Sequence, residues 1–191
     1  MSRPTAVDLT VPHDRWREIP MPGSGVALQL VRLDAPNDTL AMYARFPAGF
    51  ERATRGGYDV PEEFVVVDGE LVLEGVTLRR GDLTYVPERK VRRGMSSEIG
   101  CTVLAWFGGP AEFRPEADLD PFEAPTQTVS VLDAPHGVLL DVPPATWSVL
   151  TCDAATSVDD DVIDLYLRGW SRGGSHTDGS APLLVRRRGQ R

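Results

Sequence analysis

The sequence predicts an all-β fold, and three observations carry that prediction. Glycine (18 residues) and proline (16 residues) are abundant for a chain of 191, so turns are frequent. The apolar residues fall in short runs rich in β-branched and aromatic side chains, which suits strands better than a helical bundle. Hydrophobic residues make up 41% and charged residues 25%, enough to bury a core and too apolar for a disordered acidic polymer.

Residues 1–25 come first: polar, punctuated by proline, with Trp16 as the one large anchor, they read as an N-terminal arm over the body. From Val26 onward strands and turns alternate. The runs 26–33, 39–46, 63–67, 70–78, 83–87 and 101–107 are the strands of a first domain, residues 26–112. Between them stand Ala35-Pro36-Asn37-Asp38, Pro47-Ala48-Gly49 and Arg80-Gly81-Asp82, each with the proline, glycine or aspartate chemistry of a turn. Asp68-Gly69, set between two apolar runs, is the strongest hairpin signal. Residues 113–126, rich in proline, glycine and acids, read as a surface linker. The runs 129–132, 137–142, 146–152, 162–170 and 182–187 then make a C-terminal β segment, residues 127–191, short for an independent barrel. It reads as extra strands on the first domain, an incomplete second unit, or a subunit interface.

The formal charge of −8 argues against nucleic acid or an anionic membrane as partner, since both repel an acidic protein. No apolar stretch approaches a membrane helix, and the first residues lack the hydrophobic centre of a secretory signal. A cytoplasmic location is therefore expected. The only two cysteines, Cys101 and Cys152, lie far apart in strand-like runs and read as buried thiols without chemistry. Asp159-Asp160-Asp161 and the arginine run from Arg186 read as a solvated loop and a solvated tail. The glycine-rich stretch from Arg168 to His176 has the composition of a flexible lid and lacks the spacing of a phosphate loop.

Residues 49–96 carry a resemblance. Gly49, Glu62 and Gly69 keep the spacing of glycine, histidine, histidine, glutamate and glycine that opens the cupin motif, and Gly81 through Pro87 keep the glycine and proline of the second. The strings EEFVVVDGEL and LRRGDLTYVP resemble cupins most closely. The resemblance implies a double-stranded β-helix, a jelly-roll barrel, over about residues 26–110, with extra C-terminal strands. It also implies a site inside the barrel, where cupins hold a metal on three histidines and a glutamate.

Here that ligand set is broken. Arg55 and Gly57 stand in register with the first two histidines, Arg92 with the third, and Ser96 where an asparagine is usual; only Glu62 remains. An arginine is permanently protonated and has no lone pair to donate. The three histidines of the chain, His13, His136 and His176, fall outside the register and at no ligand spacing. No cofactor is expected, and an ordinary metal dioxygenase is disfavoured, unless ligands such as Asp59 or Glu63 are borrowed.

If the register holds, Arg55, Glu62 and Arg92 point into the barrel mouth, and Gly57 opens room beside Glu62. Arginines around a carboxylate suit a small polar or anionic organic ligand. Glu62 and Tyr58 are the candidate catalytic pair, and Arg55, Arg92, Ser96 and Trp106 the candidate ligand-binding residues. Tyr85 and Phe107 read as packing residues. The chemistry open to such a site is proton transfer: isomerisation, epimerisation, dehydration or cyclisation. A non-catalytic sensor, carrier or scaffold uses the same residues without turnover, and a storage-type role uses none. Cupins often pair through sheet edges, so a homodimer is expected.

Overall fold

A computed structural model describes residues 2–36, 38–173 and 181–189. Among the described residues every regular element but the short 3-10 turn Glu116–Asp118 is a strand, and the chain divides into two compact units, one of Arg15–Thr128 and one of Met1–Asp14 with Val129–Arg191.

In the first unit, Arg17–Ile19, Leu28–Arg32, Leu40–Phe46, Cys101–Phe107, Glu62–Leu73 and Asp82–Val86 lie side by side in that order. Every step between neighbours is antiparallel. Alternation along each strand sends Ala44, Phe46, Phe64, Val66, Val103, Ala105 and Phe107 to one face, where they build a single apolar core. The register shifts between Thr102 and Val103, opposite Asp68 and Val66. That bulge reverses the parity of the long strand. Before it the even residues Phe64 and Val66 enter the core; after it the odd residues Leu71 and Leu73 do. One 12-residue strand thereby serves two sheets, pairing beyond the bulge with Val76–Arg79 and Met95–Ser97.

Asp68-Gly69 is accordingly not a hairpin turn. The strand runs through it, and the turn comes at Glu74-Gly75, whose φ angles of 52° and 81° make the two-residue connection between Leu73 and Val76. Gly69 is needed for another reason: a Cβ there would lie 2.0 Å from the Gly100 carbonyl oxygen. Turn chemistry alone does not separate a bulge glycine from a hairpin glycine.

In the second unit the strands run Ala6–Asp8, Gly169–Arg172, Asp161–Asp164, Leu183–Arg188, Ala145–Leu150 and Gly137–Val142. The predicted run 162–170 is a hairpin, closed where Asp164 accepts the Tyr166 and Arg168 amides, each at 2.9 Å. The acidic run is not a solvated loop. Asp161 is buried against Arg186 (3.4 Å) and the Trp170 indole (3.3 Å), and Asp160 against Arg187 (3.2 Å), while Asp159 meets Arg172 at 3.4 Å. Likewise Arg186 is a buried member of a central strand, because the pleat turns it onto the acid opposite.

The boundaries drawn from sequence shift for reasons of backbone pairing. Residues 6–8 are not an arm over the barrel but an edge strand paired with Gly169–Arg172, and Arg17–Ile19 pairs with Leu28–Arg32. Within the linker, Phe113–Pro115 pairs with Gly56–Tyr58. Asn37 and residues 174–180, with Gly174, Ser175 and His176 of the expected lid, lie outside the described residues.

Candidate functional site

Glu62 opens the long strand on the same face as Phe64 and Val66, opposite Val86 on one neighbour and Phe107 on the other. Its carboxylate therefore enters an apolar interior. Arg92 arrives from the loop after Asp82–Val86 and is fixed by a backbone bridge to Gly56: the Gly56 amide donates to the Arg92 carbonyl at 3.2 Å, and the Arg92 amide to the Gly56 carbonyl at 2.7 Å. The Arg92 guanidinium pairs with Glu62, their side chains 5% and 14% exposed, and its Cζ stands 4.6 Å above the Tyr58 ring. Tyr58 meets Phe107 and Phe113 edge-on, with ring centroids 5.1 and 5.6 Å away.

Sequence reasoning missed the residue that completes this cluster. Arg52 ends the strand Phe50–Arg52 on the inward side, 1% exposed, with its Cζ 4.5 Å over the Phe113 ring and its Nη1 3.8 Å from the Met21 sulfur. Burial holds its guanidinium below the usual arginine range; Tyr58 opposes this, Arg92 adds repulsion, and Glu62 opposes again. Arg52 Nη2 and Arg92 Nε are buried donors without an acceptor. The available signal was alternation: Phe50 reads as core, so Arg52 shares its face.

Arg55 does not join the cluster. It pairs with Glu116 at 2.8 Å near the surface, with side chains 51% and 38% exposed. The face that meets the core belongs to Tyr58, one residue beyond the register read from sequence, and a one-residue slip exchanges faces. Gly57 opens no room beside Glu62 either. A Cβ there would sit 2.3 Å from the Lys90 carbonyl, so this glycine admits the loop that carries Arg92. Ser96 alternates with the core residue Met95 and borders, with Val72, Lys90 and Arg93, a pocket of about 650 Å³. Trp106 alternates with Ala105 and Phe107 and faces away from that core, as does Glu63. Phe107 packs in the core, as expected. Burial raises the phenol of Tyr85, with Glu63 and Glu88 adding to it.

The donor set does not fit the metal that the fold implies. The cluster offers one carboxylate, already paired, one phenol and two permanent cations, which repel a divalent ion. Asp59 is held by Arg114 at 2.5 Å, Glu63 lies on the other face, and no group of three metal-ligating side chains occurs among the described residues.

Comparison with solved structures bears out the fold. A candidate dioxygenase from Nostoc punctiforme is 12% identical and aligns over 97% of this chain and 83% of its own, with a TM-score of 0.66. Ylba from E. coli is 10% identical over 95% of this chain and 84% of its own, with a TM-score of 0.54. A cupin superfamily protein from Desulfitobacterium hafniense, 15% identical, covers 42% of this chain and 75% of its own, with a TM-score of 0.38. No family model and no curated protein matches the sequence. The chain shares the all-β jelly-roll fold of the Nostoc and E. coli structures.

Proposed function

We propose that this barrel binds a small polar or anionic organic molecule without a metal, and that Glu62 and Tyr58 serve proton-transfer chemistry on it. One observation carries the reading: a carboxylate set in an apolar interior, paired with Arg92 above the Tyr58 ring, and still 14% exposed. A carboxylate so placed accepts a proton from a carbon acid, while a neighbouring guanidinium holds the oxyanion that develops. The phenol donates its own proton at a second position, and the proton held by Glu62 passes back to the phenolate before the next turnover, which gives isomerisation, epimerisation, dehydration or cyclisation. The donor set supports metal independence, and the fold shared with the Nostoc candidate dioxygenase does not weigh against it, since one fold hosts many chemistries.

Elemental analysis of protein purified without a chelating tag tests the first half. One transition metal per chain, lost on Glu62→Gln, would sink the reading. A thermal-shift screen of small metabolite carboxylates and sugars tests the second, followed by turnover of each binder with wild type and Glu62→Gln. Turnover that survives Glu62→Gln removes Glu62 from the mechanism. A non-catalytic binder is the second reading, favoured by Arg92 already holding the carboxylate; binding without turnover in wild type supports it. A cytoplasmic homodimer is part of the proposal, and light scattering of the purified protein tests the dimer.

A further inference from the structure

We propose that Arg52 is a ligand-binding cation and that the molecule taken by the barrel carries a carboxylate or similar oxyanion. The inference rests on the barrel-site reading above and goes further in naming the ligand's charge and the residue that meets it. It starts from a charge count. Two guanidinium groups, Arg52 and Arg92, lie buried beside Tyr58, and the one carboxylate entering the cluster, Glu62, is committed to Arg92. This cluster thus holds one cation more than it holds anions, since the other buried carboxylate of the unit, Glu63, lies on the opposite face of its strand.

Such a surplus is expensive, because a buried charge is tolerated when it is paired and hydrogen-bonded. The Arg52 guanidinium meets the Tyr58 side chain, the face of Phe113 and the sulfur of Met21, and none of these is a carboxylate. Its Nη2 has no acceptor, nor has Nε of Arg92. Surface arginines of the same unit are satisfied by contrast: Arg55 by Glu116, Arg79 by Glu70, Arg89 by Asp120 and Arg114 by Asp59. These four arginines near the surface have carboxylates, and the arginine buried most deeply has none. A planar oxyanion that accepts from those donors removes the deficit in charge and in hydrogen bonds together. The lowered proton affinity of Arg52, caused first by burial, is the same deficit seen from the other side.

Melting in acetate against sodium chloride of equal ionic strength tests this, with acetamide as the neutral control. An anion at ten times its dissociation constant raises the melting temperature of a chain this size by about 3–5 °C. Wild type is expected to respond to acetate and not to acetamide. Arg52→Met is expected to melt higher than wild type in chloride, since it removes the uncompensated charge, and to ignore acetate. Should the methionine variant fail to fold, Arg52→Lys keeps the charge without the fork and is expected to need at least fivefold more acetate. Glu62→Gln retains the acetate response, so loss of turnover in that variant judges the proton-transfer reading separately. The inference is overturned if wild type does not respond to acetate. It is equally overturned if either Arg52 variant keeps the wild-type response, or if Arg52→Met folds and melts lower than wild type in chloride.

Discussion

Glu62→Gln is expected to destabilise the first unit more than Arg92→Met, although each breaks the same ion pair. Removing one member of a buried pair costs about 3–5 kcal/mol when the survivor is left uncompensated. Exposures of 5% and 14% place this pair in that regime, with a small discount for water at the Glu62 end. The two survivors are not equivalent. Without Arg92, the Glu62 carboxylate still has Arg52 near enough for their charges to interact, and methionine keeps an apolar stem on the Tyr58 ring. That cost is about 1–2 kcal/mol. Without the Glu62 charge, Arg52 and Arg92 repel with no carboxylate in the cluster to offset them, and the amide oxygen supplies only a neutral acceptor. That cost is about 3 kcal/mol. Urea unfolding of both variants at pH 7 and low salt measures the difference. Equal costs, or a larger cost for Arg92→Met, would refute the claim that the cluster of Arg52, Glu62 and Arg92 carries surplus positive charge.

Three further outcomes are expected. Arg55→Ala should cost under about 1 kcal/mol and leave ligand binding unchanged, because its pair with Glu116 lies at the surface and is screened; a binding defect in titration would return Arg55 to the site. Gly69→Ala should cost at least about 2 kcal/mol in the same unfolding assay, with a backbone φ of 75° and a Cβ 2.0 Å from the Gly100 oxygen. The Cys101 thiol is pushed up from 9.0 to about 12 by burial, with Asp68 adding to it, so the folded state holds this proton more tightly than the unfolded chain. Its contribution is complete below the unfolded value and is lost at about 1.4 kcal/mol per pH unit as pH climbs toward the folded one. Cys101→Ala should therefore flatten the alkaline limb of stability above pH ~9. An unchanged slope would place the thiol in water.

Strand positions were legible because alternation and turn residues are local properties, and the long runs 39–46 and 101–107 survive almost residue for residue. Glu62 and Arg92 were legible because the spacing from Gly49 to Gly69 and from Gly81 to Pro87 fixes the strand that Glu62 opens and the loop that carries Arg92. Three things were not. Whether Arg55 or Tyr58 faces the core turns on a single residue of register in an irregular segment, where no periodic pattern constrains it. The roles of Gly57 and Gly69 depend on the Lys90 and Gly100 carbonyls, which approach from more than 30 residues away. And the burial of Asp161 and Arg186 follows from a pairing between strands that no local signal announces, so a charge run looked like solvent-facing surface.

The division of the chain has a consequence for the order in which it is assembled. Residues 15–128 are continuous and are flanked on both sides by stretches of the other unit. From Arg17–Ile19 to Phe113–Pro115, each strand of the first unit finds a neighbour inside that span. The second unit has no such independence. Its opening strand, Ala6–Asp8, waits for Gly169–Arg172, and the middle of its sheet is filled only by Leu183–Arg188, between Asp161–Asp164 and Ala145–Leu150. During synthesis from the N-terminus the ribosome delivers the whole of the first unit while the sheet of the second still lacks its centre. Through that interval Ala6–Asp8 is an unpaired strand tethered to a finished barrel, and the closure of the second sheet is the slow, long-range event of folding.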